Sequence, residues 1–156
     1  MANKTAAAHE LLTEIMLAVF RVNGRLLAKG DEMVGPLGLT SARWQMLGAL
    51  ALAGQPLTAP QMADAMGVTR QAAQKQLNLL LDEGLVEMEP NPRHQRSPLC
   101  RLTAAGESVY ARALALNTRW TKSLSASVPA ADLEVALDVL VRLHQDLDGP
   151  VPRERA

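Results

Sequence analysis

From Thr58 to Arg96 the chain reads TAPQMADAMGVTRQAAQKQLNLLLDEGLVEMEPNPRHQR, a succession of short helix, tight turn, polar-faced helix and hairpin that leaves few folds open. Thr58 and Gln61 are spaced to cap the first helix reciprocally, and Pro60 falls at an early helical position where its missing N–H costs nothing. Gly67 permits the backbone conformation that ends this helix. Val68 is expected to anchor the turn in the core, and Thr69 to accept an orphan N–H at the start of the next helix. In that second helix Ala73, Leu77, Leu80 and Leu81 recur at helical spacing and should bury, which turns Arg70, Gln71, Gln74, Lys75 and Asn78 broadly the other way. Those side chains suit a DNA groove: Gln pairs with adenine edges, Arg with guanine O6 and N7, and Lys or Asn with phosphate or base oxygens. An ordinary amphipathic surface helix would carry the same Gln and Lys for solubility, so the helix does not decide the matter alone.

The residues that follow add weight. Asp82-Glu83-Gly84 ends the helix, Leu85-Val86-Glu87-Met88-Glu89 reads as a short strand, and Leu99-Cys100-Arg101-Leu102 as its return partner. Between them Asn91-Pro92-Arg93-His94-Gln95-Arg96-Ser97-Pro98 turns the chain and gives the hairpin a basic tip. Arg93 and Arg96, with His94 between them, stand where a wing reaches backbone phosphates or the adjacent minor groove. The alternative is a solvated turn.

At this point the sequence resembles the MarR family of winged helix-turn-helix transcriptional regulators. The resemblance is carried by Leu39-Thr40-Ser41-Ala42-Arg43-Trp44-Gln45-Met46-Leu47, then Leu57-Thr58, Met62-Ala63, Met66-Gly67-Val68-Thr69-Arg70-Gln71, Gly84-Leu85-Val86, Asn91-Pro92, Arg96 and Leu102-Thr103-Ala104-Ala105-Gly106. The flanking helices extend it across nearly the whole chain. His94 and Gln95 stand before Arg96 where such proteins commonly carry an Asp, so the usual acidic brace of the wing is missing. The resemblance implies a homodimer with interleaved N- and C-terminal helices and one winged head projecting from each subunit. It also implies a small amphipathic or phenolic effector, of the kind such proteins often bind between the dimer helices and the head.

The rest of the chain sets bounds. Its 156 residues suit one structural domain with a sizeable core, and 48% hydrophobic residues exclude a generally disordered chain. Aromatic residues make up only 3%, so packing must rest on Leu, Ala, Val and Met. No apolar run is long enough to span a membrane and Met1-Ala2-Asn3-Lys4 opens no convincing export signal, so the cytoplasm is the expected location. A net charge of zero argues against an indiscriminately basic nucleic-acid binder, but the charge is uneven. From Pro90 to Lys122, Arg93, Arg96, Arg101, Arg112, Arg119 and Lys122 oppose only Glu107. From Pro129 onward Asp132, Glu134, Asp138, Asp146, Asp148 and Glu154 outnumber Arg142, Arg153 and Arg155. That segregation fits one face turned to phosphate and another turned away. Cys100 is the only cysteine, which rules out an intrachain disulfide, and its place in the return strand makes it a packing residue before a redox sensor. His9, His94 and His144 lack metal-ligand spacing, no nucleophile and base are paired, and the glycines mark boundaries, so neither a cofactor nor an enzyme is expected.

These readings give a mainly α fold (α+β winged helix) with a winged helix-turn-helix head and long terminal helices. Residues 1–38 form a dimerisation helix and connection, 39–103 the DNA-binding region, and 104–156 the C-terminal dimerisation helices and tail. The first helix is expected from about Thr5 to Leu27 with an apolar stripe of Leu11, Ile15, Ala18, Val22 and Leu26, followed by a connection marked by Gly30, Gly35, Pro36 and Gly38. Ser41 to Ala53 should pack around Trp44, Leu47 and Leu50. Thr103 can cap a helix running through Ala126, and Pro129 precedes a last helix from about Asp132 to Leu147. Leu114, Leu124, Val135, Val139, Leu140, Leu143 and Leu147 then need a partner, which a two-fold dimer or a fold-back onto the chain's own core would supply. The function expected is sequence-specific recognition of double-stranded DNA by a homodimeric, ligand-responsive repressor on a pseudo-palindromic operator. Arg70, Gln71, Gln74 and Lys75 would enter the major groove, Arg93, His94 and Arg96 act from the wing, and Asn78 touch the backbone. A winged-helix protein-interaction module and a transcriptional activator are the alternatives.

Overall fold

The computed structural model describes residues 2–147 and Gly149, with side chains described from residue 7 onward. Asp148, Arg153, Glu154 and Arg155, counted above among the terminal charges, lie outside the described residues. The chain forms two compact units, one ending at Leu116 and one beginning at Asn117.

In the first unit α1 (Ala2–Val34) leads through a single 3-10 turn (Gly35–Leu37) to α2 (Ser41–Ala53), α3 (Ala59–Met66) and α4 (Arg70–Asp82). The hairpin β1 (Val86–Glu89) and β2 (Leu99–Leu102) follows, and then α5 (Ala104–Ser125), whose last turns belong to the second unit with α6 (Ala130–Asp146). The architecture is thus mainly helical with one small antiparallel hairpin, as the sequence leads one to expect.

Local chemistry accounts for the element boundaries. The Thr58 hydroxyl accepts from the Gln61 N–H at 3.4 Å while Gln61 Oε1 accepts from the Thr58 N–H at 2.8 Å, the reciprocal cap that the spacing predicts. Thr69 accepts from the Ala72 N–H at 3.1 Å, and Gly67 between them adopts the left-handed conformation (φ 62°) that closes α3. Thr103 serves two elements, since its hydroxyl accepts from the Gly106 N–H at 3.1 Å and donates to the Gly84 carbonyl at 2.8 Å. The start of α5 is thereby tied to the end of α4.

Two expectations are corrected. Gly30 lies inside α1, which continues seven residues past Leu27, and there the glycine serves packing. A Cβ on Gly30 would stand 2.0 Å from Ser41 Oγ, so its absence lets α1 cross the start of α2 closely. The Asp31 carboxylate beside it accepts from the Ser41 N–H at 2.6 Å, capping α2 from another helix. Val68 is 39% exposed instead of anchoring the turn. The backbone holds that turn, because the Val68 N–H donates to the Ala63 carbonyl at 3.0 Å and leaves the side chain free to face solvent.

Leu47, Met62, Leu77, Leu80, Val34 and Cys100 are the largest fully buried side chains, so the core of the first unit draws on α1, α2, α3, α4 and the hairpin. Trp44 and Leu81 pack against it while remaining partly accessible. The hairpin pairs Val86 with Leu102 and Met88 with Cys100, and Leu57 adds a further bridge to Cys100 through N–H to carbonyl bonds of 3.0 and 2.7 Å. The connection entering α3 therefore holds the wing from its inner edge.

Candidate nucleic-acid interface

The helix α4 divides as its periodicity predicts. Ala73, Leu77 and Leu80 are fully buried, whereas Arg70, Gln71, Gln74, Lys75 and Asn78 are exposed. Gln74 Nε2 donates to Asn78 Oδ1 at 2.9 Å across one turn, which orients the Gln74 amide along the exposed face. At the other end of the helix Arg43, largely covered by protein, forms an ion pair with Glu83, so α2 holds the trailing end of α4 while Thr69 caps its leading end. A rigid mounting of this kind is what groove reading demands, because discrimination between bases depends on placing donors and acceptors to within tenths of an ångström.

The wing carries its cations at the tip. Arg93, His94, Gln95 and Arg96 are all exposed, and their loop is braced by Asn91. Asn91 Oδ1 accepts from the Arg93 N–H at 3.0 Å and Asn91 Nδ2 donates to the Ser97 carbonyl at 2.8 Å. Backbone bonds from His94 N–H to the Asn91 carbonyl (3.1 Å) and from Ser97 N–H to the His94 carbonyl (2.9 Å) complete two linked turns. The amide of Asn91 thus braces the loop that carries His94 and Gln95 before Arg96. Arg101, by contrast, pairs with Glu87 at 2.6 Å and Glu89 at 3.5 Å, so its charge is largely spent within the hairpin.

Between the start of α3 and the wing lies an open cleft of about 850 Å³. Thr58, Pro60 and Gln61 of the α3 cap line it on one side and Glu89, Asn91, Arg93 and His94 of the wing on the other, and Arg70 is the one residue of α4 that lines it. Gln71, Gln74, Lys75 and Asn78 do not line it. Arg70 thus lines the same cleft as Arg93 and His94, whereas the rest of the polar row of α4 lies outside it.

Cys100 is fully enclosed, and burial pushes its thiol up to about 11. A thiol held in its protonated form is a packing group and a poor nucleophile. Among the described residues no group of three or more His, Cys, Asp or Glu is placed to hold a metal ion, and no helix is long and apolar enough to cross a membrane.

Three contributors to the interface escape a reading of the sequence. The Leu57 bridge and the Arg43 to Glu83 pair join positions far apart in the chain with no local signature of pairing, and the Asn91 brace is the third. Only Asn91, beside a proline in a predicted turn, stood at a position where a side chain bonding its own loop is common.

A capped helix-turn-helix, an exposed polar row on its second helix and a hairpin with a basic tip define a winged helix-turn-helix protein. Residues 37–97 match the MarR family. An uncharacterized protein of Mycobacterium tuberculosis (strain ATCC 25618 / H37Rv) is 35% identical over 145 residues, covering 90% of this chain and 97% of that one. A mutant MarR of E. coli complexed with operator DNA superposes with a TM-score of 0.74 at 22% identity, over 85% of this chain and 94% of that one. Staphylococcus aureus MarR in complex with salicylate and kanamycin gives 0.74 at 17% identity, over 88% and 92%. The chain belongs to the MarR family of winged helix-turn-helix regulators, DNA-binding proteins by class.

Proposed function

We propose that this chain is a homodimeric, sequence-specific regulator that represses transcription by occupying a pseudo-palindromic operator and leaves it when a small effector binds. The observation that carries the reading is the exposed row of Gln71, Gln74, Lys75 and Asn78 on a helix whose back is sealed in the core, flanked by a wing that presents Arg93 and Arg96. Gln71 and Gln74 are the base readers in this reading, Lys75 reaches the major groove or its phosphates, and Asn78 touches the backbone. Arg96 supplies phosphate or minor-groove contact from the wing.

Residues 1–38 and 104–156 act as dimerisation segments around the reading head of residues 39–103. Support comes from the apolar residues that a single chain leaves uncovered: Leu11, Phe20, Val22 and Leu26 on α1 are exposed, and α6 buries none of its residues. A two-fold dimer sets two recognition helices about 34 to 36 Å apart, one turn of DNA. An effector regulates such a dimer by binding one head spacing better than the other. The salicylate complex of the S. aureus protein supports a small phenolic or amphipathic anion as its class.

In vitro selection from a random duplex pool with the full-length protein tests the reading. It should enrich two inverted half-sites one helical turn apart, and mapping the site against the promoter then separates repression from activation. A pool that emerges without any enriched sequence would defeat the proposal in favour of a winged-helix module that binds protein.

A further inference from the structure

The geometry points to Arg70 as a phosphate clamp rather than a base reader, acting with Arg93 and His94 on the DNA strand that passes between the recognition helix and the wing. This inference rests on the DNA-binding reading above and refines it.

Arg70 is the first residue of α4, directly after the Thr69 cap. Its side chain borders the cleft shared with the wing, and the exposed residues further along α4 do not. In a winged helix-turn-helix complex the recognition helix occupies the major groove and the wing approaches the neighbouring minor groove, so a sugar-phosphate strand must cross the gap between them. Here the cleft of about 850 Å³ between the α3 cap and the wing reaches the first residue of α4, so that Arg70 lines it together with Arg93 and His94. Its one carboxylate, Glu89, is held by Arg101 at 3.5 Å, which leaves the cleft's unopposed charge positive.

The backbone adds to this. Thr69 satisfies the Ala72 N–H, whereas the N–H groups at the very start of a helix have no carbonyl within the helix and, with the helix dipole, favour an anion in front of them. Among the described residues Arg70 makes no ion pair or hydrogen bond through its guanidinium, so no protein carboxylate competes for it. A planar guanidinium is well suited to take two oxygens of one phosphate. Gln74, whose amide is oriented by Asn78 one turn further along, is left to read bases.

The test uses the full-length protein and the duplex that selection recovers, intact and with a single neutral methylphosphonate walked along both strands. One or two neighbouring positions should weaken wild-type binding about tenfold, the scale of one charge-assisted hydrogen bond. In Arg70→Ala the same substitutions should have no further effect, and the dependence on salt should fall by about two phosphates' worth, one from each subunit of the dimer. Arg70→Lys should restore most of that salt dependence. Selection repeated with Arg70→Ala should return the wild-type motif, whereas Gln74→Ala should relax it at one position. A motif that changes in Arg70→Ala, with every methylphosphonate effect intact, would make Arg70 a base reader and overturn the inference while leaving the regulator reading in place. Absence of any motif with the wild-type protein would overturn both.

Discussion

Two residues in the same hairpin show how environment sets chemical role. Cys100 is sealed beneath the wing with its thiol raised to about 11, above the value near 9 that an open thiol has. The group is protonated in the folded chain over a range where the unfolded chain ionises, so its stabilising contribution is complete below pH 9 and is lost as pH rises toward 11. Urea titrations of wild type and Cys100→Ala should therefore converge over that interval, with the wild type losing roughly 2 to 3 kcal/mol more than the variant. A constant difference between the two across the interval would show that Cys100 is not the group responsible, and rapid labelling of the native thiol at neutral pH would show that it is not sealed. His94 has the opposite setting, exposed on the wing tip. It shares the cleft with Arg70 from α4, Glu89 from β1 and Arg93 of its own loop. A phosphate placed there would meet the His94 ring beside the Arg93 guanidinium, so His94→Gln should weaken binding of the selected duplex by up to about tenfold, the scale of one charge-assisted hydrogen bond. Undiminished affinity in the variant would assign His94 to the shape of the loop alone.

At the scale of elements, glycines show which part of the fold the sequence displays. A Cβ on Gly106 would lie 1.9 Å from the Leu85 carbonyl oxygen, and a Cβ on Gly30 would lie 2.0 Å from the Ser41 hydroxyl. The distances are alike but the neighbours differ, since a serine side chain can rotate and the backbone at the foot of the wing cannot. Gly106→Ala should therefore cost about 3 kcal/mol or more, and Gly30→Ala distinctly less. Equal midpoints for the two variants in denaturant would show that the wing's base yields as easily as a side chain. Nothing in the local sequence separates these glycines from Gly67, which is needed for its left-handed backbone (φ 62°). Features marked by local spacing were legible: the Thr58 and Gln61 cap, the Thr69 cap, the buried back of α4, and two short apolar strands joined by a turn. Features that depend on residues distant in the chain were not, and so Gly30 read as a helix boundary, Val68 as an anchor, and the Leu57 bridge escaped notice. The candidate site divides along the same line. Periodicity marked its residues, but only the folded chain separates Arg70 from Gln71, Gln74 and Lys75 by placing it beside the wing.

For the whole molecule the deciding question is what covers the terminal helices. Phe20 on α1 is 69% exposed, and Val135 and Leu137 on α6 are 65% and 64% exposed. Single exposed apolar residues are ordinary, but rows of them along successive turns are not maintained in water without a partner. A second copy of the same chain is the partner that the proposed reading of a pseudo-palindromic operator calls for, because two-fold symmetry in the protein is what matches inverted half-sites in DNA. Light scattering at micromolar concentration should accordingly return twice the chain mass of 16.8 kDa. The exposure of these residues makes the test clean. Replacing a solvent-facing side chain in an isolated chain changes stability by no more than about 0.5 kcal/mol, so the double variant Phe20→Asp, Leu137→Asp should keep its helical content as a monomer while losing the dimer. It should then bind the full selected site no more tightly than an isolated half-site, since the two heads no longer share one association step. A wild-type protein that is monomeric and grips a half-site as firmly as the full site would end the dimer mechanism, and a double variant that stays dimeric would move the interface away from these two helix faces.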